Sequence, residues 1–302
     1  MKKTPITRRV AILAAASLSF LAACGGSSND SSKASDTTVA ASPGNGKKIL
    51  SLSPTATEML YAIGAGDQVV AVDSLSNYPT EAADKVTKIS AFEPNAEAIL
   101  GYSPDIVLIS NDMNKITEQL KTAKPDITVW TGAMANTIDD VYAQITDLGK
   151  VTGHDTEAAA LIAKMKTDLA AATEGVTAPE GASYYYELDN TYYSLTSNTF
   201  VGSLLKSTGI ANIADGVEAG NDWPQLNAES IIKANPSVVF LADTKCCQQN
   251  AAAVAKRAGW ADLDAVKNSR VVELDDDIAS RWGPRIVDLV KQMVEAIAAL
   301  QK

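Results

Sequence analysis

The sequence predicts an α/β fold of two lobes, each with a mainly parallel sheet, joined by one long α-helix. Short apolar runs rich in Val, Ile and Leu alternate with helical patterns, which is the mark of βαβ units. One stretch, Asp155 to Thr173, is rich in Ala, Lys, Glu and Leu and contains neither Gly nor Pro, so it reads as a long helix. A helix–Pro–strand unit occurs once on each side of that stretch. Together these give the fold class: two Rossmann-like lobes, one either side of a connecting helix.

The elements follow in order. Residues 1–23 are read as an export signal. Lys2, Lys3, Arg8 and Arg9 form a basic start, and Val10 to Leu21 is an apolar run too short to span a bilayer permanently. It ends in Leu21-Ala22-Ala23-Cys24, and small residues before a cysteine resemble the lipobox of bacterial lipoproteins. That resemblance implies cleavage before Cys24, a lipid on Cys24 and an outward-facing, membrane-anchored protein. Residues 24–47 are rich in Ser, Gly, Ala, Thr and Asn, and cannot bury enough surface to offset chain entropy, so they are expected to be a flexible tether.

The first lobe is assigned to residues 48–150. Lys48 to Ser53 reads as a strand, and Pro54 to Ile63 as a helix opened by Pro and stopped by Gly64. Val69–Asp73, Ile106–Ser110 and Ile127–Trp130 read as strands, with helices over Asn95–Leu100 and Asn114–Ala123. The connecting helix is placed within residues 151–178 and the second lobe in 179–302. There, Ser183–Leu188, Val238–Ala242 and Val271–Leu274 read as strands, and Pro284 opens a last amphipathic helix.

The internal repeat is the most informative pattern. Asn95-Ala96-Glu97-Ala98-Ile99 leads across Pro104 into Asp105-Ile106-Val107-Leu108-Ile109. Asn227-Ala228-Glu229-Ser230-Ile231 leads across Pro236 into Ser237-Val238-Val239-Phe240-Leu241 at the same spacing. Asn before Ala-Glu suits an N-cap with an acid in the first turn. Glu97 and Glu229 therefore hold equivalent places, one in each half.

Charge and chemistry narrow the function. A net charge of −10 argues against a nucleic-acid partner and against docking to anionic lipid by charge alone. His154 is the single histidine, which is poor provision for a protein-held zinc or manganese, so no metal site is expected. Asp275, Asp276 and Asp277 are adjacent, no nucleophile with its base is evident, and no Gly-rich phosphate loop follows a strand; a binder rather than an enzyme is expected, with no cofactor. Cys246 and Cys247 are consecutive; a strained vicinal disulfide and two reduced thiols both remain open.

From Lys48 onward the chain resembles the periplasmic binding proteins of iron-siderophore, haem and cobalamin importers. The resemblance rests on Ser51-Leu52-Ser53-Pro54-Thr55-Ala56-Thr57-Glu58-Met59-Leu60-Tyr61, Val69-Val70-Ala71-Val72-Asp73, Ser76-Asn77-Tyr78-Pro79, the repeat, and Trp282-Gly283-Pro284-Arg285 before the last helix. It implies two lobes with the ligand held between them, and delivery to an ABC permease dimer by a monomeric protein. A helical connection bends less than paired strands, so only modest opening is expected.

Within the family the local match is to the cobalamin-binding member. Trp223-Pro224-Gln225, Asp277 with Arg281, and Tyr193 match its ligand-facing positions, while Ala91, beside Phe92, stands where it has a tryptophan and Leu75 where it has a tyrosine. Trp223, Tyr193 and Trp282 offer broad apolar faces with polar edges. Arg281 offers a fork of donors, and Tyr78 and Phe92 complete the candidate ligand set. The ligand read from these residues is cobalamin or another corrinoid, with a ferric siderophore or haem as the alternative, and a ligand-sensing lipoprotein outside transport as a third reading. In the family, paired acids such as Glu97 and Glu229 grip arginines on the two-fold permease.

Overall fold

The computed structural model describes residues 46–301 of the chain. The expected signal peptide, Cys24 and nearly all of the expected tether lie outside the described residues. The first lobe contains β1 (Ile49–Leu52), α1 (Pro54–Ala62), β2 (Val69–Val72), α2 (Thr80–Ala83), α3 (Ala96–Leu100), β3 (Ile106–Ile109), α4 (Ile116–Ala123) and β4 (Thr128–Thr131). Two helices follow, α5 (Ile138–Thr152) and α6 (Asp155–Thr173). The second lobe contains β5 (Ser183–Glu187), α7 (Phe200–Leu205), β6 (Ala211–Asn212), α8 (Ala228–Ala234), β7 (Val238–Leu241), α9 (Ala251–Ala255), α10 (Asp264–Lys267), β8 (Val271–Glu273), α11 (Asp276–Ala279) and α12 (Ile286–Ala298).

The two sheets have one topology. The strand order is β2-β1-β3-β4 in the first and β6-β5-β7-β8 in the second, and every pairing between these strands is parallel. The sequence repeat falls on matching elements, α3 leading to β3 and α8 leading to β7. Asn95 and Asn227 cap their helices as the pattern predicts: each side-chain oxygen accepts from the backbone N–H three residues on, Ala98 or Ser230.

Central strands read as continuous apolar runs because both faces are covered. Alternation decides which core each side chain joins. On β3, Ile106 and Leu108 face one side while Val107 and Ile109 face the other. On β7, Val238 and Phe240 oppose Val239 and Leu241. The inner layers of both sheets merge into one apolar cluster completed by Val141, Ile145 and Leu148 of α5 and Leu289, Val290, Met293 and Ile297 of α12. Helix α6 adds Ala158 and Met165 to it. Gly149 lets α5 and α6 approach, since a β-carbon there would lie 2.7 Å from Ala158 Cβ.

Element boundaries differ from the sequence pattern where the backbone turns. Helix α4 starts at Ile116, because Asn114 and Lys115 have φ of 56° and 55°. Helix α12 begins at Ile286 rather than Pro284. Helix α5 was not anticipated, although Thr137 and Asp140 form a reciprocal capping box that marks its start.

A candidate ligand cleft at the strand ends

In open α/β sheets ligands sit beyond the carboxyl ends of strands, where the strand order reverses. That point lies between the first and third strand of each lobe. In the first lobe it is nearly closed: the cavity beside Leu52, Ile109 and Ser110 measures about 10 Å³. In the second lobe a cavity of about 360 Å³ opens beside Leu188, just past β5, and Ala242, just past β7. Trp223, Arg281 and Trp282 line it from the second lobe, and Met134, Ala135 and Asn136 close it from the loop after β4. Residues of both lobes therefore wall one space.

Several loops carry exposed apolar side chains, and of these Met134 and Trp223 line this space. Leu75, Met113 and Met134 belong to first-lobe loops that follow strands, Phe92 to the loop between α2 and α3, and Tyr193 and Trp223 to second-lobe loops that follow strands. Trp223, at 42%, and Phe92, at 63%, are far more exposed than large apolar side chains usually are. Tyr193 and Trp223 are brought together by a short backbone ladder: Leu188 N–H donates to Tyr193 O at 2.9 Å, Ser194 N–H to Pro224 O at 3.0 Å, and Leu226 N–H to Tyr192 O at 3.0 Å.

Arg281 reaches the cavity wall with its guanidinium already engaged. Nη1 donates to Glu58 Oε1 at 2.9 Å and Asn77 Oδ1 at 3.0 Å, and Nη2 donates to Leu75 O at 3.1 Å and Asp277 Oδ1 at 3.0 Å. Arg285 grips the same acid, with Nε on Glu58 Oε2 at 2.9 Å and Nη2 on Glu58 Oε1 at 2.5 Å. Glu58 stands on α1 of the first lobe and is 3% exposed, so one buried carboxylate joins the first lobe to the segment entering α12. Gly283 permits this approach; a β-carbon there would lie 3.1 Å from Glu58 Oε2. Sequence reasoning missed Glu58, although an acid inside the apolar run of α1 was the available signal.

The remaining candidates disperse. Trp282 donates its indole N–H to Gln144 Oε1 at 3.1 Å, tying the cavity wall to α5. Asp277 accepts from Lys245 Nζ at 2.7 Å, and from Asn77 Nδ2 at 3.2 Å across the lobes. Burial alone would raise the Asp277 carboxyl, but the Lys245 bond and the Arg281 charge outweigh it and hold it low. Tyr78 lies under the Arg285 guanidinium, 3.9 Å from the ring centre, and lines a different cavity of about 690 Å³. That larger space runs along α1, α6 and the start of α12, away from the strand ends, and is not the switch-point cleft. Phe92 stands exposed on the loop between α2 and α3. Glu97 and Glu229 are exposed second residues of α3 and α8, with no ion pair among the described residues. His154 is buried at the start of α6, its Nδ1 3.1 Å from Thr152 O. Among the described residues no group of three or more His, Cys, Asp or Glu is placed to hold a metal.

Beneath the second-lobe loops lies a buried acid pair. Glu187 is bidentate with Arg257, which is itself stacked 4.6 Å from the Trp260 ring centre. Asp243 is fully buried, and burial followed by the nearby Glu187 charge pushes its carboxyl up to about 7.

Two outcomes are expected. Glu58→Gln leaves the buried Arg281 and the half-buried Arg285 short of a charge, and the unfolding free energy should fall by about 3–5 kcal/mol; an unchanged urea midpoint would show that the clasp carries no stability. An acid whose folded pKa is raised stabilises fully below its unfolded pKa, about 3.9 for Asp, and loses that contribution as pH rises through the folded value. The denaturation midpoint should therefore fall between about pH 4 and about 7, with a shallower fall in Asp243→Asn.

The sequence profile of the periplasmic binding protein family matches residues 49–278. An uncharacterized ABC transporter substrate-binding lipoprotein of Bacillus subtilis, YvrC, is 34% identical over 275 residues, covering 89% of this chain and 84% of that protein. A cobalamin-binding protein of Halobacterium salinarum is 30% identical over 258 residues, covering 83% of this chain and 69% of its own length. The crystal structure of the periplasmic vitamin B12 binding protein BtuF of Vibrio cholerae superimposes with a TM-score of 0.67 at 26% identity, over 86% of this chain and 99% of that one. Twin parallel sheets, a cleft at their strand ends and these matches together place the chain in the periplasmic binding protein family.

Proposed function

We propose that this chain captures a corrinoid, cobalamin foremost, outside the cell and delivers it to an ABC permease dimer. The observation that carries the reading is the cavity at the second lobe's switch point, walled by residues of both lobes and bearing the exposed apolar side chains of Trp223 and Met134. Broad, partly planar ligands are held by such faces, with a few polar groups fixing orientation. A cavity of about 360 Å³ is too small to enclose a corrinoid whole, so the ring lies across the open mouth between the loops with one edge seated in the cavity. Relatives named for cobalamin binding support this ligand. Arg281 contributes as the wall that carries Asp277 and Trp282 rather than as a free donor, since its hydrogen bonds are already made within the protein.

Glu97 and Glu229 are assigned to the permease. Both are exposed at the start of matching helices, one per lobe, so a pseudo-two-fold pair of acids meets a two-fold pair of bases. Cys24 is assigned to the lipid that holds the protein at the membrane.

The purified mature protein should bind cyanocobalamin in a visible-absorbance titration, and Trp223→Ala should weaken it roughly tenfold or more. Tight binding of haem or a ferric siderophore with no response to the corrinoid would replace the ligand reading. The Glu97→Ala/Glu229→Ala double variant should keep its affinity for cyanocobalamin and lose cellular uptake; normal uptake would remove the docking role.

A further inference from the structure

The loop after β7 carries two adjacent thiols that neither the cleft nor the docking surface uses. Cys246 is exposed and Cys247 partly so, with their Sγ atoms 2.6 Å apart. The loop is fixed by one carboxylate. Asp276 Oδ1 accepts from Thr244 N–H at 2.8 Å and Thr244 Oγ1 at 2.7 Å, and Oδ2 accepts from Lys245 N–H and Cys246 N–H, both at 2.9 Å. These bonds outweigh burial and hold Asp276 low. On the far side, Cys247 N–H donates to Asp243 O at 3.2 Å and Gln249 N–H to the same oxygen at 3.3 Å, with Gln248 between them at a φ of 54°. The Asp243 carboxyl itself is 0% exposed and lies beside the Glu187 carboxylate.

We propose that Cys246 and Cys247 are a redox-modified pair, closing to a vicinal disulfide when oxidised, and that closure is transmitted to the cleft through Asp276. The step is a thiol–disulfide exchange with a small-molecule disulfide or an exported dithiol–disulfide oxidoreductase. A thiolate attacks the oxidant to form a mixed disulfide, and the second thiol displaces it. Two S–H bonds break, one S–S bond forms, and two electrons and two protons leave with the oxidant as its dithiol. The Cys246 thiol is pushed up to about 12 by burial, then by Cys247 and the nearby acids.

The sulfurs are already close, so it is ring strain rather than distance that acts on the backbone. Consecutive α-carbons are about 3.8 Å apart across a trans peptide, less than the usual disulfide span of about 4.4–6.8 Å. The strained ring is proposed to relax by turning the Cys246–Cys247 peptide, whose N–H is the donor to Asp243 O, which draws the neighbouring Cys246 and Lys245 N–H groups from Asp276. Asp276 opens α11, and the next residue, Asp277, bonds Lys245, Arg281 and, across the lobes, Asn77. A change at two sulfurs reaches the inter-lobe contact through three consecutive links. The effect on ligand rests on the corrinoid reading above; the change in the loop does not.

The test separates the two. The mature protein is treated with diamide or with a reductant, alkylated and mapped by mass spectrometry, and amide hydrogen exchange is recorded without ligand. The oxidised form should be lighter by two hydrogens with neither cysteine alkylated, and the amides of Lys245 and Cys246 should exchange roughly tenfold faster than in the reduced form. The Cys246→Ser/Cys247→Ser variant should exchange alike under both treatments. Two alkylated cysteines after diamide, or a formed bond with unchanged exchange, would overturn the proposal. Cyanocobalamin affinity should then differ between the oxidised and reduced protein and not between the treated variants; equal affinity of the two wild-type forms would overturn the link to the cleft. Absence of cyanocobalamin binding in every form would count against the corrinoid reading alone, since the exchange result stands without ligand.

Discussion

The fold depends on how two separately wound sheets are held at one spacing, and the Glu58 carboxylate is the polar part of that answer. It projects from α1 of the first lobe into a pocket formed by Arg281 and Arg285 of the second, where water is excluded. A buried ion pair often contributes little net stability against an apolar replacement, because desolvation opposes attraction. Its value here is geometric. The carboxylate accepts in fixed directions, and Gly283 clears the space for it, so the loop entering α12 has one place to lie. Leu75 O, Asn77 and Asp277 join the same guanidinium, which makes the rim of the cleft and the joint between lobes one network.

Apolar packing completes the joint. The inner faces of both sheets share a cluster with α5, α6 and α12, so the lobes have no independent inner cores. That arrangement resists wide separation, because opening would expose apolar surface at about 25 cal/mol per Å². The mouth of the cleft is different. Its wall carries exposed Met134 and Trp223, surface that a ligand can cover without disturbing the core.

The lobes share topology and differ in what they leave open. The switch point of the first is closed by Leu52, Ile109 and Ser110, while Leu188 and Ala242 leave room in the second. Under the second lobe's floor, Arg257 neutralises Glu187 beside the buried Asp243, whose backbone carbonyl holds the loop bearing Cys246 and Cys247.

Much was legible in the sequence because it was local. Parallel strands buried on both faces must be continuously apolar, Asn before Ala-Glu must cap a helix, and a stretch without Gly or Pro must run on as α6. The repeat exposed the twin lobes because the same local problem was solved twice at one spacing. The pairing of Glu58 with Arg281 and Arg285 was not legible, since these partners lie more than two hundred residues apart. Nor was the division of the aromatics, with Trp223 and Trp282 at the cleft and Tyr78 under Arg285 beside another cavity. Sequence by itself determined which residues form strands and caps, because neighbours along the chain set those energies. Only the tertiary structure decided which charges are buried and which rings face solvent, because burial is a property of what the rest of the chain brings alongside.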